Sequence, residues 1–241
     1  MRFLTGLLAV CALSVCTQVW AAPVVDDAVV APGTQVDVTI VLDNSTSMKK
    51  FLPQVKAFLA NLNDSLVAQG ADPKFALVKF GSRERVMTDL TGFDEFLDAL
   101  KLCHGASGTP KRGSAALLLA ENSISYREGS VHNILLISNG KDQTKDGAFQ
   151  QAMDALAGQT NTIFNYIGMP GGKGNMDARY GALAAAHGGL SFPLVDLKGN
   201  PATFAQTFSQ TNMQQIGDIV IPEPATMTLL VVGGLALLRR R

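Results

Sequence analysis

Residues 36–50 read VDVTIVLDNSTSMKK, and the fold is decided there. Seven residues, 36–42, are apolar-rich and dominated by β-branched side chains. Such a run suits a strand buried on both faces of a sheet. It stops at Asp43, and Asn44, Ser45, Thr46 and Ser47 follow. A helical pattern begins next, with Met48, Phe51, Leu52, Val55, Phe58, Leu59 and Leu62 at spacings of three and four. One carboxylate and several hydroxyls therefore lie on a turn between a strand and a helix. In an open α/β sheet this is the ligand crevice, past the carboxyl ends of the strands. The spacing Asp-x-Ser-x-Ser puts Asp43, Ser45 and Ser47 on one loop, each able to offer oxygen to a hard cation.

The rest of the middle repeats the alternation. Strands are predicted at 75–80, 133–138, 160–167 and 190–195, with a short edge strand at 85–88. Helices are predicted at 93–100, 114–125, 146–156, 176–187 and 201–210, with Gly188 and Gly189 closing the one at 176–187. The expectation is a Rossmann-like α/β fold: an open, mostly parallel sheet flanked by helices on both faces.

Lys and Arg number 20, as do Asp and Glu, so charge gives no preference for nucleic acid. Of Cys11, Cys16 and Cys103, two lie in a segment expected to be removed, which leaves no disulfide framework and no Cys–His zinc spacing. His104, His132 and His187 lack metalloprotease spacing. Residues 168–175 are glycine-rich, but Ile167 stands where a phosphate loop needs its first glycine. Ser45 lacks the Gly-x-Ser-x-Gly context of a hydrolase nucleophile.

Both ends read as address labels. Residues 1–22 open with Arg2, continue through an apolar stretch and end in Ala21 and Ala22, the pattern of a signal peptide cut by signal peptidase. At the other end Pro222, Glu223 and Pro224 precede an apolar run, 227–238, and Arg239, Arg240 and Arg241 close the chain. Twelve residues of helix reach about 18 Å, short against a bilayer core of about 30 Å. Motif, short span and basic tail in that order resemble a PEP-CTERM sorting signal. The resemblance implies a transient inner-membrane anchor in a Gram-negative bacterium, processing by an exosortase, and an exported product at the cell envelope or beyond. The expected organisation is a signal peptide (1–22), a linker (23–34), one domain (35–212), a second linker (213–221) and the sorting signal (222–241).

Three loops carry oxygen donors: 43–47, 107–110 and 138–142. In order and spacing they resemble a von Willebrand factor type A domain. The resemblance implies a metal-ion-dependent adhesion site, with Asp43, Ser45 and Ser47 from the first loop, Thr109 from the second and Asn139 from the third. The implied ion is Mg²⁺, with Mn²⁺ or Ca²⁺ as substitutes. The third loop departs from the family's Thr-Asp-Gly, reading Ser138-Asn139-Gly140. An amide oxygen brings no charge, which weakens affinity; Asp142 is a further acidic residue nearby. Lys111 and Arg112 also depart from the pattern, and two cations oppose a divalent ion unless they point away.

No residue set is placed to activate a nucleophile, so a binding protein rather than an enzyme is expected. An under-neutralised ion with an open position would accept a carboxylate from an extracellular protein or polysaccharide, as in cell adhesion. The alternative is a metal-free interaction or structural module of the same fold, and an extracellular hydrolase is a distant third.

Overall fold

The computed structural model describes residues 30–105, 108–169 and 176–220. The elements in chain order are β1 (Gln35–Asp43), α1 (Leu52–Ala68), β2 (Asp72–Phe80), β3 (Arg85–Thr91), α2 (Phe93–Lys101), α3 (Gly113–Ser123), β4 (Val131–Ile137), α4 (Asp146–Ala157), β5 (Thr162–Gly168), α5 (Met176–Ala186), β6 (Ser191–Pro193), α6 (Leu194–Gly199) and α7 (Pro201–Val220). A single 3₁₀ turn, Thr46–Met48, separates β1 from α1.

The sheet order is β3-β2-β1-β4-β5-β6. All pairs are parallel except β2 with β3, which is antiparallel. β1 is thus central, and β1, β4 and β5 are buried almost throughout. Burial on both faces is why these strands read as unbroken apolar runs. β3 is an edge, its residues exposed or half-buried and its pairing interrupted by register shifts.

Helices cover both faces. Val36, Val38, Ile40 and Leu42 of β1 face a core shared with α1, α2, α6 and α7. Val41 faces the other core, with α3, α4 and α5. This is the two-residue period of a strand. α1 alone buries Leu52, Val55, Phe58, Leu59, Leu62 and Leu66, a gross hydrophobic gain of roughly 10 kcal/mol. On the α3 face β1 also carries Asp37, fully buried, whose carboxylate accepts the Arg127 backbone N–H at 2.7 Å, Arg127 Nε at 2.6 Å and the Ser130 hydroxyl at 2.8 Å. At the end of α5, Gly188 adopts φ +63°, and a Cβ on Gly189 would stand 1.9 Å from the Phe164 carbonyl oxygen. Both positions therefore need glycine.

The structure corrects the predicted boundaries in three places. The proposed linker 23–34 is docked where it is described: Val30 is fully buried, and the Gly33 N–H donates to Gly70 O at 2.8 Å. The strand predicted at 190–195 shortens to β6, and α6 follows it directly. The proposed linker 213–221 is helix up to 220, because Met213, Ile216 and Gly217 continue the buried face of α7. The segments expected to be a signal peptide, 1–22, and a sorting signal, 222–241, lie outside the described residues.

Candidate functional site

β4 runs beside β1 with Ile137 level with Leu42. Both strands end at one height, so Asp43 and Ser138 emerge together at the carboxyl end of the sheet. Asp43 is fully buried. Its Oδ1 accepts the Ser45 backbone N–H at 2.8 Å, a turn that tightens the loop, and its Oδ2 accepts the Ser138 hydroxyl at 2.8 Å. Ser45 Oγ and Ser47 Oγ lie 3.1 Å apart, and the Ser47 hydroxyl donates to Asn139 Oδ1 at 2.9 Å. Asn44 turns the other way: its Oδ1 accepts the Gly105 N–H at 2.9 Å, tying the first loop to the segment before Thr109.

The structure thus brings Asp43, Ser45, Ser47 and Asn139 together. Thr109 is exposed, and among the described residues no hydrogen bond joins it to this group. Asp142 belongs to a different cluster. Its carboxylate accepts the Thr144 N–H at 3.0 Å and the Thr144 hydroxyl at 2.6 Å, together with the Ser114 hydroxyl. Arg179 Nη1 stands 3.7 Å from it. Asp142 therefore staples the start of α3 to the loop before α4. Burial first, then the Asp142 carboxylate, hold the neighbouring Tyr180 phenol well above its ordinary range.

The centre of the oxygen cluster belongs to Lys111. Its backbone is pinned at both groups: its N–H donates to Gln143 Oε1 at 2.7 Å, and its carbonyl accepts the Gln143 N–H at 2.6 Å. Its stem lies across Gly140, where a Cβ would come within 2.2 Å of Lys111 Cδ. The ammonium donates to Ser47 Oγ at 2.9 Å and to Asn139 Oδ1 at 2.8 Å, and lies 3.2 Å from Asp43 Oδ2. The ammonium thus makes two hydrogen bonds and one ion pair with the three oxygens around it. Arg112 points away, with Nη1 3.8 Å from Glu84 Oε1.

A divalent ion drawing on the same oxygens would sit about 3 Å from that ammonium. Even at an effective dielectric of 20, their repulsion is roughly 10 kcal/mol. With Lys111 in place, the residues of this cluster do not fit a divalent cation. Among the described residues no group of His, Cys, Asp and Glu forms an alternative metal cluster.

Neither Cys103 nor His132 is part of this cluster. The Cys103 thiol is buried, and burial raises its pKa. His132 stacks on Tyr126 at 4.1 Å between ring centroids, at the start of β4 and so at the opposite end of the sheet.

The family model for the von Willebrand factor type A domain matches residues 37–210. The chain belongs to this family. Solved structures agree on the fold. A von Willebrand factor type A protein from Catenulispora acidiphila superposes with a TM-score of 0.58 at 19% identity, covering 76% of this chain and 43% of that one. Proximal thread matrix protein 1 from the mussel byssus, with a zinc-occupied MIDAS motif, gives 0.58 at 15% identity over 75% and 46%. The von Willebrand domain of the type V pilus tip protein Mfa5 from Porphyromonas gingivalis gives 0.53 at 14% identity over 74% and 96%. The chain spans under half the length of the first two of these. No curated protein matches it.

Within this type A domain, Ser138 and Lys111 are the members of the cluster whose places spacing did not reveal. Ser138 sits at the strand end beside Asp43, a parallel register that only the sheet order discloses. Lys111 stood out in the sequence by its charge, but its direction is set by Gln143 and Gly140 on another loop.

Proposed function

We propose that this type A domain is a non-enzymatic binding module, exported to the cell envelope, that engages a protein ligand through the loops at the carboxyl end of its sheet. One observation carries the reading: Asp43, Ser45, Ser47, Asn139 and Lys111 form a closed network at the family's binding position. Within it the lysine beside Ser47 is ion-paired with the buried Asp43, an arrangement that suits holding the loops together rather than taking a proton. Mussel thread matrix and pilus tip proteins of the same fold support a role in surface contact by analogy. Residues 1–22 and 222–241 support export.

Of the two forms open in the sequence, cation-bridged and metal-free, the Lys111 contacts favour the metal-free module. The rim of these loops carries Lys49, Lys50 and Lys141, all exposed. A rim of this sign suits an acidic protein surface. The test is binding of the purified domain to the surface of the producing cells before and after protease treatment. The comparison is a Lys49→Glu/Lys50→Glu/Lys141→Glu variant. Protease-sensitive binding that falls about tenfold in the variant and weakens with salt is expected. Unchanged binding by the variant would refute the assignment of this rim, and protease-resistant binding would replace protein by polysaccharide.

A further inference from the structure

We infer that Lys111 is the resident cation of this site: its ammonium takes the place of the divalent ion and makes the domain metal-independent. Four features on three loops converge on it. The Lys111 backbone is fixed by reciprocal hydrogen bonds to Gln143, at 2.7 and 2.6 Å. The stem fills the space left by the missing side chain of Gly140. The ammonium meets Ser47 Oγ, Asn139 Oδ1 and Asp43 Oδ2 at 2.9, 2.8 and 3.2 Å. The Lys111 side chain is only 13% exposed, and that of Asp43 is wholly covered.

Charge explains why this replacement is compatible with the third loop. A divalent ion is served by several carboxylates, but a single ammonium is neutralised by one. The cluster holds one carboxylate, Asp43, while Asn139 supplies oxygen without charge. One ammonium against one carboxylate is balanced, and a second carboxylate at 139 would leave a net negative charge in a nearly closed site. The neutral Asn139 and the inward Lys111 are thus complementary parts of one arrangement. Two N–H donors are spent on Ser47 and Asn139 and the charge faces Asp43 Oδ2, so the ammonium is turned toward the cluster rather than toward an incoming ligand. The ion's structural role, holding the 43–47, 108–112 and 138–143 loops together, is kept, whereas its bridging role is lost.

Only the consequence for ligand capture rests on the proposed binding function; the cation assignment stands on the contacts. The test is a metal titration of the full chain and its Lys111→Ala variant, by calorimetry and by thermal unfolding in EDTA, Mg²⁺ and Mn²⁺. For the unsubstituted chain, no saturable heat and a single Tm in all three media are expected. Lys111→Ala should lose about 10 °C in EDTA, because Asp43 is left buried without its counter-charge. Mg²⁺ or Mn²⁺ should restore much of that loss by entering the emptied position. Saturable binding of Mg²⁺ or Mn²⁺ by the unsubstituted chain would overturn the inference, as would an unaltered Tm for Lys111→Ala. If Lys111→Ala does not fold, amine labelling of the unsubstituted chain decides the matter. Lys111 should react about tenfold more slowly than the exposed Lys49, Lys50 and Lys141, and equal reactivity would overturn the assignment. Cell-surface binding measured in EDTA separates the two proposals. Binding that vanishes in EDTA contradicts metal independence, whereas absent binding in every medium, with the titration results as expected, removes only the proposed function.

Discussion

Gly140 matters for the side chain it lacks. A methyl group there would lie 2.2 Å from Lys111 Cδ and 2.3 Å from Nζ, closer than any real contact. Gly140→Ala should therefore expel the lysine while leaving every acceptor in place, and amine labelling should find Lys111 reactive, with a Tm several degrees lower. At the far end of α3's buried face, Glu121 gives a different kind of test. Burial raises its carboxyl from the ordinary 4.5 to about 7, and among the described residues its Oε1 has no hydrogen-bond partner. Between those values the folded chain binds more protons than the unfolded one, so stability falls as pH rises through that window. Glu121→Gln should match the parent near pH 5 and exceed its Tm at about pH 8, as scanning calorimetry would reveal. At this scale the sequence was half legible. Asp43, Ser45 and Ser47 declare themselves by spacing on a single loop. Where Lys111 points depends on Gln143 and Gly140, which lie about thirty residues further along and come beside it only in the folded chain.

At the scale of elements, periodicity marked β1, β4 and the helices that follow them, because their inner faces are continuously apolar. It ended α7 too early for an identifiable reason. After Phe204, Ala205 and Phe208 the buried face includes Ser209 and Asn212 before Met213 and Ile216. Asn212 is buried because it exchanges side-chain hydrogen bonds with Asn133 of β4, at 2.8 and 3.2 Å. A polar pair satisfied inside the core reads, in one dimension, like the end of a helix. Residues 211–220 lie beyond the family match yet belong to the folded unit. A chain ended at 210 leaves Asn133 without its partner and uncovers the apolar surface under Met213 and Ile216. It should unfold several kcal/mol more easily than one ended at 220, which urea titration would measure. The short α6 was missed because six residues span fewer than two turns, too few to display a period.

For the whole molecule, the alternation of strands and helices conveyed the layered architecture, and the resemblance of three loops pointed to one end of the sheet. The balance of charge over the chain conceals an uneven distribution. Exposed lysines gather around the 43–47 and 138–142 loops, whereas the Asp37–Arg127–Asp72 cluster lies at the opposite end. The molecule therefore has a head and a foot. α7 belongs to that geography: Asn212 already lies against Asn133, near the amino end of β4, and the helix continues for two further turns. At the other boundary, Thr34 O accepts the Asp72 N–H at 2.8 Å, beside the amino ends of β1 and β2. The first and last described segments thus both depart from the foot. Moored by either flank, to a membrane, a matrix or an affinity support, the domain would hold its lysine-plugged mouth outward, clear of its own tether.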